Sequence, residues 1–193
     1  MSGAILGLGT ATFIAGYGLA AQTPQPQEAA ALLREAISAG IRYVDTAAVY
    51  GDAESVVGLV ANDVHDRRVR ICTKVAATAV KAGGIAAEVR ASLARLRLDA
   101  VDTLLLHSAD TLGLEERVLG ESLDEVRSSG FALRTGASTY GVADARTALA
   151  QPWCGALQVE HSILNPSVLA ALNARPHGSE IVARSVLCKG LLT

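Results

Sequence analysis

The chain has 193 residues, 50% hydrophobic and 19% charged, enough for one domain with a sizeable core and too few for two comfortable ones. Its 17 Lys and Arg against 19 Asp and Glu leave a formal net charge of −2, which excludes a generally basic nucleic-acid binder and gives no ground for a membrane-surface partner. Plentiful apolar residues at balanced charge also exclude an intrinsically disordered chain.

The first segment, Ala4 to Ala21, is uncharged and largely apolar, the length of a membrane span. It nevertheless holds Gly7, Gly9, Gly16 and Gly18 with Thr10, Thr12 and Tyr17 among them, and no Lys or Arg precedes it as in a signal peptide. It reads as a buried strand, Ile5 to Leu8, running into a Gly-rich loop. Past Pro24 and Pro26, Leu32, Leu33, Ala36 and Ile37 make one helical face over Glu28–Ser38, with Gly40 where a helix C-terminal glycine belongs. A strand from Ile41 to Val44 and a helix from Ala53 to Asn62, striped by Val56, Val57 and Val60, follow. Val69–Cys72 is the next strand, and Val89, Leu93 and Leu96 mark a helix after it. Val101–Leu106 is nearly unbroken in apolar residues, as in a strand buried on both faces. Leu119, Leu123 and Val126 stripe a helix closed by Gly130. Strands at Leu133–Ala137, Ala156–Val159 and Ile181–Ala183 complete the series, with helices near Ala143–Ala150 and Ser167–Ala174.

Strands that alternate with helices imply a parallel sheet covered by helices, and seven such units favour a TIM-type α/β barrel over a doubly wound sheet. No linker interrupts the chain, so residues 1–193 read as one domain. Cys72, Cys154 and Cys188 form no even disulfide framework and no C-x-x-C pair, which points to a reducing, cytoplasmic setting.

In a parallel barrel the chemistry sits at the C-terminal ends of the strands. The residues that close the apolar runs are Asp45, Lys74, His107, Ser138 and Gln158, and Tyr50 lies in the loop five residues after Asp45. Each has a plain structural reading. Asp45 can cap the turn before its helix, His107 can be a satisfied core histidine, and Ser138 and Gln158 can serve backbone groups. Lys74 stands apart, because only Lys74, Lys81 and Lys189 are lysine among the 17 basic residues. An arginine would serve a plain ion pair as well, whereas lysine is a compact point charge on a flexible stem.

Together these residues make a proton device. A carboxylate keeps the lysine charged, and the ammonium is expected to lower a neighbouring tyrosine from its free pKa of about 10. Such a tyrosine can act as a general acid or base, and a histidine across the mouth can hydrogen-bond the same substrate oxygen.

The stretch GIRYVDTAAVYGDAESVVG, Gly40 to Gly58, resembles the first signature of the aldo-keto reductase family, with Asp45 and Tyr50 at the family spacing. Thr73-Lys74-Val75 resembles the strand that carries the family lysine, and Leu104-Leu105-Leu106-His107-Ser108 the strand that carries its histidine. Leu6–Thr10 is similar to the opening strand; Leu157-Gln158 and Ala183-Arg184-Ser185 with Gly190-Leu191-Leu192 resemble the sixth and seventh. The resemblance implies a (β/α)8 barrel transferring hydride from NADPH to a small-molecule carbonyl substrate. Under it Tyr50 is the proton donor, Lys74 and Asp45 tune it, and His107 orients the carbonyl. Ser138, Thr139 and Gln158 fall where the family holds the nicotinamide amide, although Thr139 replaces its usual asparagine. Gly9, Thr10 and Ser185 line the cofactor channel, and Asp45 borders it.

The sequence stops at Thr193, just past the seventh strand, so the resemblance implies a barrel truncated before the last βα elements and the adenosine phosphate site of the family. Two open sheet edges raise the expectation of a homo-oligomer that closes the barrel. A cofactor-independent dehydratase, isomerase or lyase using the same four residues is the alternative enzyme. A non-catalytic binding or regulatory subunit is the alternative outside catalysis. No nucleic-acid or membrane partner is expected.

Overall fold

The computed structural model describes residues 4–14, 17, 23–64, 68–81, 84–108, 116–172 and 178–192. Its strands are β1 (Gly7–Gly9), β2 (Tyr43–Asp45), β3 (Arg70–Val75), β4 (Val101–Leu106), β5 (Ala132–Thr139), β6 (Ala156–Glu160) and β7 (Glu180–Arg184). They form one parallel sheet in chain order. The helices between them are α1 (Pro26–Ser38), α2 (Ala53–Val64), α3 (Ala77–Lys81), α4 (Ile85–Leu96), α5 (Glu116–Ser128), α6 (Val142–Leu149) and α7 (Ser167–Ala171). This is the expected TIM-type (β/α) architecture with seven strands. None of the described helices is long and apolar enough to cross a membrane.

The inner strands, β2 to β6, are largely buried on two faces, and each face has its own core, whereas β1 and β7 at the sheet edges have no buried residue. Outward residues such as Val44, Leu104, Leu106, Leu157 and Val159 pack beneath Leu33, Val57, Val89, Leu123 and Val126 of the helices. Inward, Tyr43, Cys72, Leu105 and Ala156 form a smaller cluster with Val182. The sheet rolls around that cluster. Arg70 at the start of β3 donates from Nη1 to Oε1 of Glu180 on β7 at 2.7 Å, and near the other end Gln158 of β6 donates to Asp45 of β2 at 2.9 Å. Bonds between strands so far apart in the sheet order require them to face each other across an interior. No ladder joins β1 to β7 among the described residues.

Small residues set how closely elements approach. A Cβ on Gly136 of β5 would lie 1.7 Å from the carbonyl oxygen of Ala156 on β6. On α2, a Cβ on Gly58 would come within 2.3 Å of the Leu96 carbonyl oxygen at the end of α4. The same two helices are bolted by a buried carboxylate. Glu54, 0% exposed, accepts Thr73 Oγ1 of β3 at 2.5 Å and Arg95 Nε of α4 at 2.6 Å.

Several element boundaries differ from the sequence expectations. The first strand is Gly7–Gly9 instead of Ile5–Leu8, and Leu6 is 74% exposed. Its register is set by the short β2, which offers only Tyr43, Val44 and Asp45 as partners. Strands β3 and β5 run past Cys72 and Ala137 to include Lys74 and Ser138, because ladder pairing with Leu105 and Gln158 depends on the backbone and not on side-chain polarity. The short α3 was not expected. Of the Gly-rich stretch assigned to a loop, Gly16 and Gly18 lie outside the described residues.

Candidate active site

Side chains on a strand alternate with period two, so the inward cluster fixes what stands above it. Asp45 follows Tyr43 by two residues, Lys74 follows Cys72, His107 follows Leu105, Gln158 follows Ala156 and Arg184 follows Val182. All five reach the same mouth at the C-terminal ends of the strands.

Lys74 is the centre of the site. It is 1% exposed. Its Nζ donates to Asp45 Oδ1 at 2.7 Å and to the Thr46 carbonyl at 2.9 Å. Burial alone would lower the ammonium pKa, but Asp45, Cys72 and Tyr50 together, Asp45 foremost, outweigh it and raise it above the ordinary lysine value. The ammonium is therefore charged. Asp45 Oδ1 also accepts Gln158 Nε2, so the carboxylate is anchored from both sides of the barrel.

Tyr50, on the turn that leads from β2 into α2, sits above this pair. Lys74 Nζ lies 5.3 Å from its ring centroid, and the His107 ring stands edge-on to it, 5.6 Å between centroids at 81°. The expected fall in the tyrosine pKa is not what the surroundings give. Burial raises it, Lys74 lowers it by less, and Asp45 raises it further, so the net direction is upward. Tyr50 holds its proton at neutral pH. His107 is pushed down to about 4, first by burial and then by the positive charges of Lys74 and Arg184, with Asp45 opposing. Its ring is neutral at pH 7 and retains one N–H to donate.

Ser138 and Gln158 form a second polar group beside the first. Ser138 Oγ donates to Gln158 Oε1 at 3.1 Å, and Thr139 Oγ1 donates to the Gln158 carbonyl at 3.5 Å. All three side chains are buried. Thr10 is wholly buried too. Its hydroxyl and its backbone N–H both go to the Asp45 carbonyl, at 3.2 Å and 2.9 Å, which ties the end of β1 to the end of β2. Gly9 is exposed, with open space where a Cβ would stand. Ser185 follows β7 in a left-handed conformation, φ 59°, and its Oγ accepts Arg184 Nη1 at 3.2 Å. Thus Asp45, Tyr50, Lys74 and His107 are brought together, Ser138 and Gln158 adjoin them through Asp45, and Thr10 is turned to a bracing role.

The sequence reading passed over Arg184. Its guanidinium stacks 4.0 Å from the centroid of Tyr140 and donates to the Thr139 carbonyl at 3.3 Å. The signal was available: counting two from Val182 places it on the inner wall beside the other site residues.

The model of the aldo/keto reductase family matches residues 5–193 of the chain. An aldo-keto reductase of Mycolicibacterium smegmatis is 33% identical over 154 residues, 76% of this chain and 53% of that protein. Aldo-keto reductase str7 of Strobilurus tenacellus is 30% identical over 172 residues, 84% of this chain and 51% of that protein. The structure is similar to that of an aldo/keto reductase from Klebsiella pneumoniae solved with NADP and acetate, with TM-score 0.75 and 26% identity over 96% of this chain and 65% of the other. The chain thus spans about half the length of the curated relatives it matches.

Proposed function

The chain belongs to the aldo/keto reductase family, and on that premise we propose that it reduces the carbonyl of an aldehyde or ketone with hydride from NADPH, Tyr50 giving the proton to the carbonyl oxygen. Family membership and reductase-named relatives support carbonyl reduction at the level of the family. The observation that carries the residue assignment is the buried Lys74–Asp45 pair directly beneath Tyr50.

The donor set beside that pair suits a nicotinamide carboxamide. Ser138 Oγ–H can donate to the amide oxygen, and Gln158 Oε1 can accept from the amide nitrogen, each giving up the bond it makes to the other. NADPH, when bound, supplies a hydride to the carbonyl carbon. The remaining work falls to the protein. Neutral His107 donates its N–H to the carbonyl oxygen and fixes its direction toward Tyr50. Tyr50 keeps its proton until that oxygen gains negative charge, then transfers it, so the substrate leaves as an alcohol. The Lys74 ammonium stabilises the phenolate that remains, and Asp45 with the Thr46 carbonyl holds the ammonium in place.

Tyr50→Phe tests this. NADPH-dependent reduction of a small aldehyde such as glyceraldehyde should fall about 10²–10⁴-fold in turnover, with the circular dichroism spectrum unchanged. Turnover near that of the unmodified protein would overturn the assignment.

A further inference from the structure

Arg184 is a cation held still. Stacking on Tyr140 and hydrogen bonds to the Thr139 carbonyl and Ser185 Oγ fix its plane against the ends of β5 and β7. No carboxylate forms an ion pair with it among the described residues; Glu160, its register neighbour on β6, makes none. Lys74, the other cation at the strand ends, is matched by Asp45. Arg184 therefore holds a positive charge outside any described ion pair on the inner wall, on a half-buried side chain with Glu160 beside it in register.

Its place in the barrel says what that charge meets. Tyr50 and His107 come from the β2 and β4 side, and a carbonyl oxygen held by both leaves its carbon facing the opposite wall. The hydride donor must approach from there, the ends of β5 to β7, where Ser138 and Gln158 offer hydrogen bonds to the carboxamide. Arg184 is fixed on that same wall. The two forms of the nicotinamide ring differ by one unit of charge: the oxidised ring is a cationic pyridinium, the reduced ring a neutral dihydropyridine. A nearby guanidinium repels the first and leaves the second nearly unaffected, and partial burial strengthens the difference.

We propose that Arg184 selects the redox state of the cofactor, so that the site holds NADPH in preference to NADP+ and weakens its grip when the ring becomes oxidised. This rests on the reductase reading above and adds to it which form of the cofactor the site retains.

Calorimetric titration with NADPH and, separately, NADP+ tests the proposal, and the readout is the ratio of the two dissociation constants. The ratio of NADP+ to NADPH constants in the unmodified protein should exceed that in Arg184→Met by at least about tenfold. Arg184→Gln is the second neutral variant should the methionine variant fail to fold. Arg184→Lys keeps the charge and should keep a ratio above that of either neutral variant. Lys189, exposed on the rim with its Nζ 5.4 Å from the Tyr17 ring centroid, supplies the control: Lys189→Met should leave the ratio unchanged. An equal ratio in the unmodified protein and in Arg184→Met would overturn the proposal and leave the reductase reading intact. An equal fall in Lys189→Met would assign the effect to the general field of the rim and also overturn it. A folded protein that binds neither form would overturn the reductase reading itself, and the inference with it.

Discussion

His107 and Lys74 show how burial decides protonation at single residues. His107 in the unfolded chain takes up a proton below about pH 6.5, whereas in the folded protein it resists protonation down to about 4. Between those values the unfolded state binds more protons, so stability falls as pH falls across the window. In His107→Gln, unfolding free energy plotted against pH should be flatter between about 6.5 and 4; an identical slope in both proteins would show that His107 is not held neutral. Lys74 makes a different prediction. Its ammonium fits between Asp45 and the Thr46 carbonyl, a space for a point charge and not for a planar guanidinium. Lys74→Arg should therefore lower carbonyl reduction by about 10²-fold or more although the charge is kept, and unchanged kinetics would reduce Lys74 to an ordinary ion pair. The identities of Asp45, Lys74 and His107 were legible because each breaks an apolar strand run at its mouth end. The direction of the Tyr50 shift was not, since it depends on how far burial outweighs one ammonium, and sequence carries no depth.

Polarity at a strand end is ambiguous at the scale of elements, which is why β3 and β5 read as ending before Lys74 and Ser138. A polar residue can stand beyond a ladder or within it with its side chain in a cavity, and only the pairing partner on the next strand decides. Strand β4 was read at its observed bounds because Leu104, Leu105 and Leu106 run unbroken up to His107, and its polar residues, Asp102 and Thr103, lie toward the opposite end. The contact between α2 and α4 was also hidden, because a glycine in a valine stripe does not announce what approaches it. Gly58→Ala should destabilise the protein by about 1–3 kcal/mol through overpacking against Leu96, read as a lower denaturation midpoint at unchanged slope. A variant as stable as the original would mean that α4 shifts freely, which the Glu54 bolt to Thr73 and Arg95 opposes.

Across the whole barrel, the floor opposite the mouth is closed by charge instead of hydrocarbon. Arg70 of β3 bridges Glu180 of β7 and Asp102 of β4, and Asp102 also holds Arg134 of β5 at 2.9 Å. No single one of these residues announces a partner in the sequence, since Arg70 and Glu180 lie 110 positions apart. The network joins β7 to strands on the far side, a brace independent of any ladder between β7 and β1. Asp102 is its keystone. Burial would raise its carboxyl, but hydrogen bonds from Arg70 and Thr103 and the charge of Arg134 outweigh burial and hold it below the ordinary carboxylate range. A depressed carboxylate contributes stability above its unfolded pKa of about 3.9 and loses it as pH falls through the folded value. Acid unfolding should thus have two parts, the His107 slope between about 6.5 and 4 and a further loss below about 3.9. Asp102→Asn leaves two arginines without their shared anion and should cost about 2–4 kcal/mol at neutral pH. It should keep the first slope and lose much of the second. A variant that retains both slopes would show that the floor contributes nothing to closing the barrel.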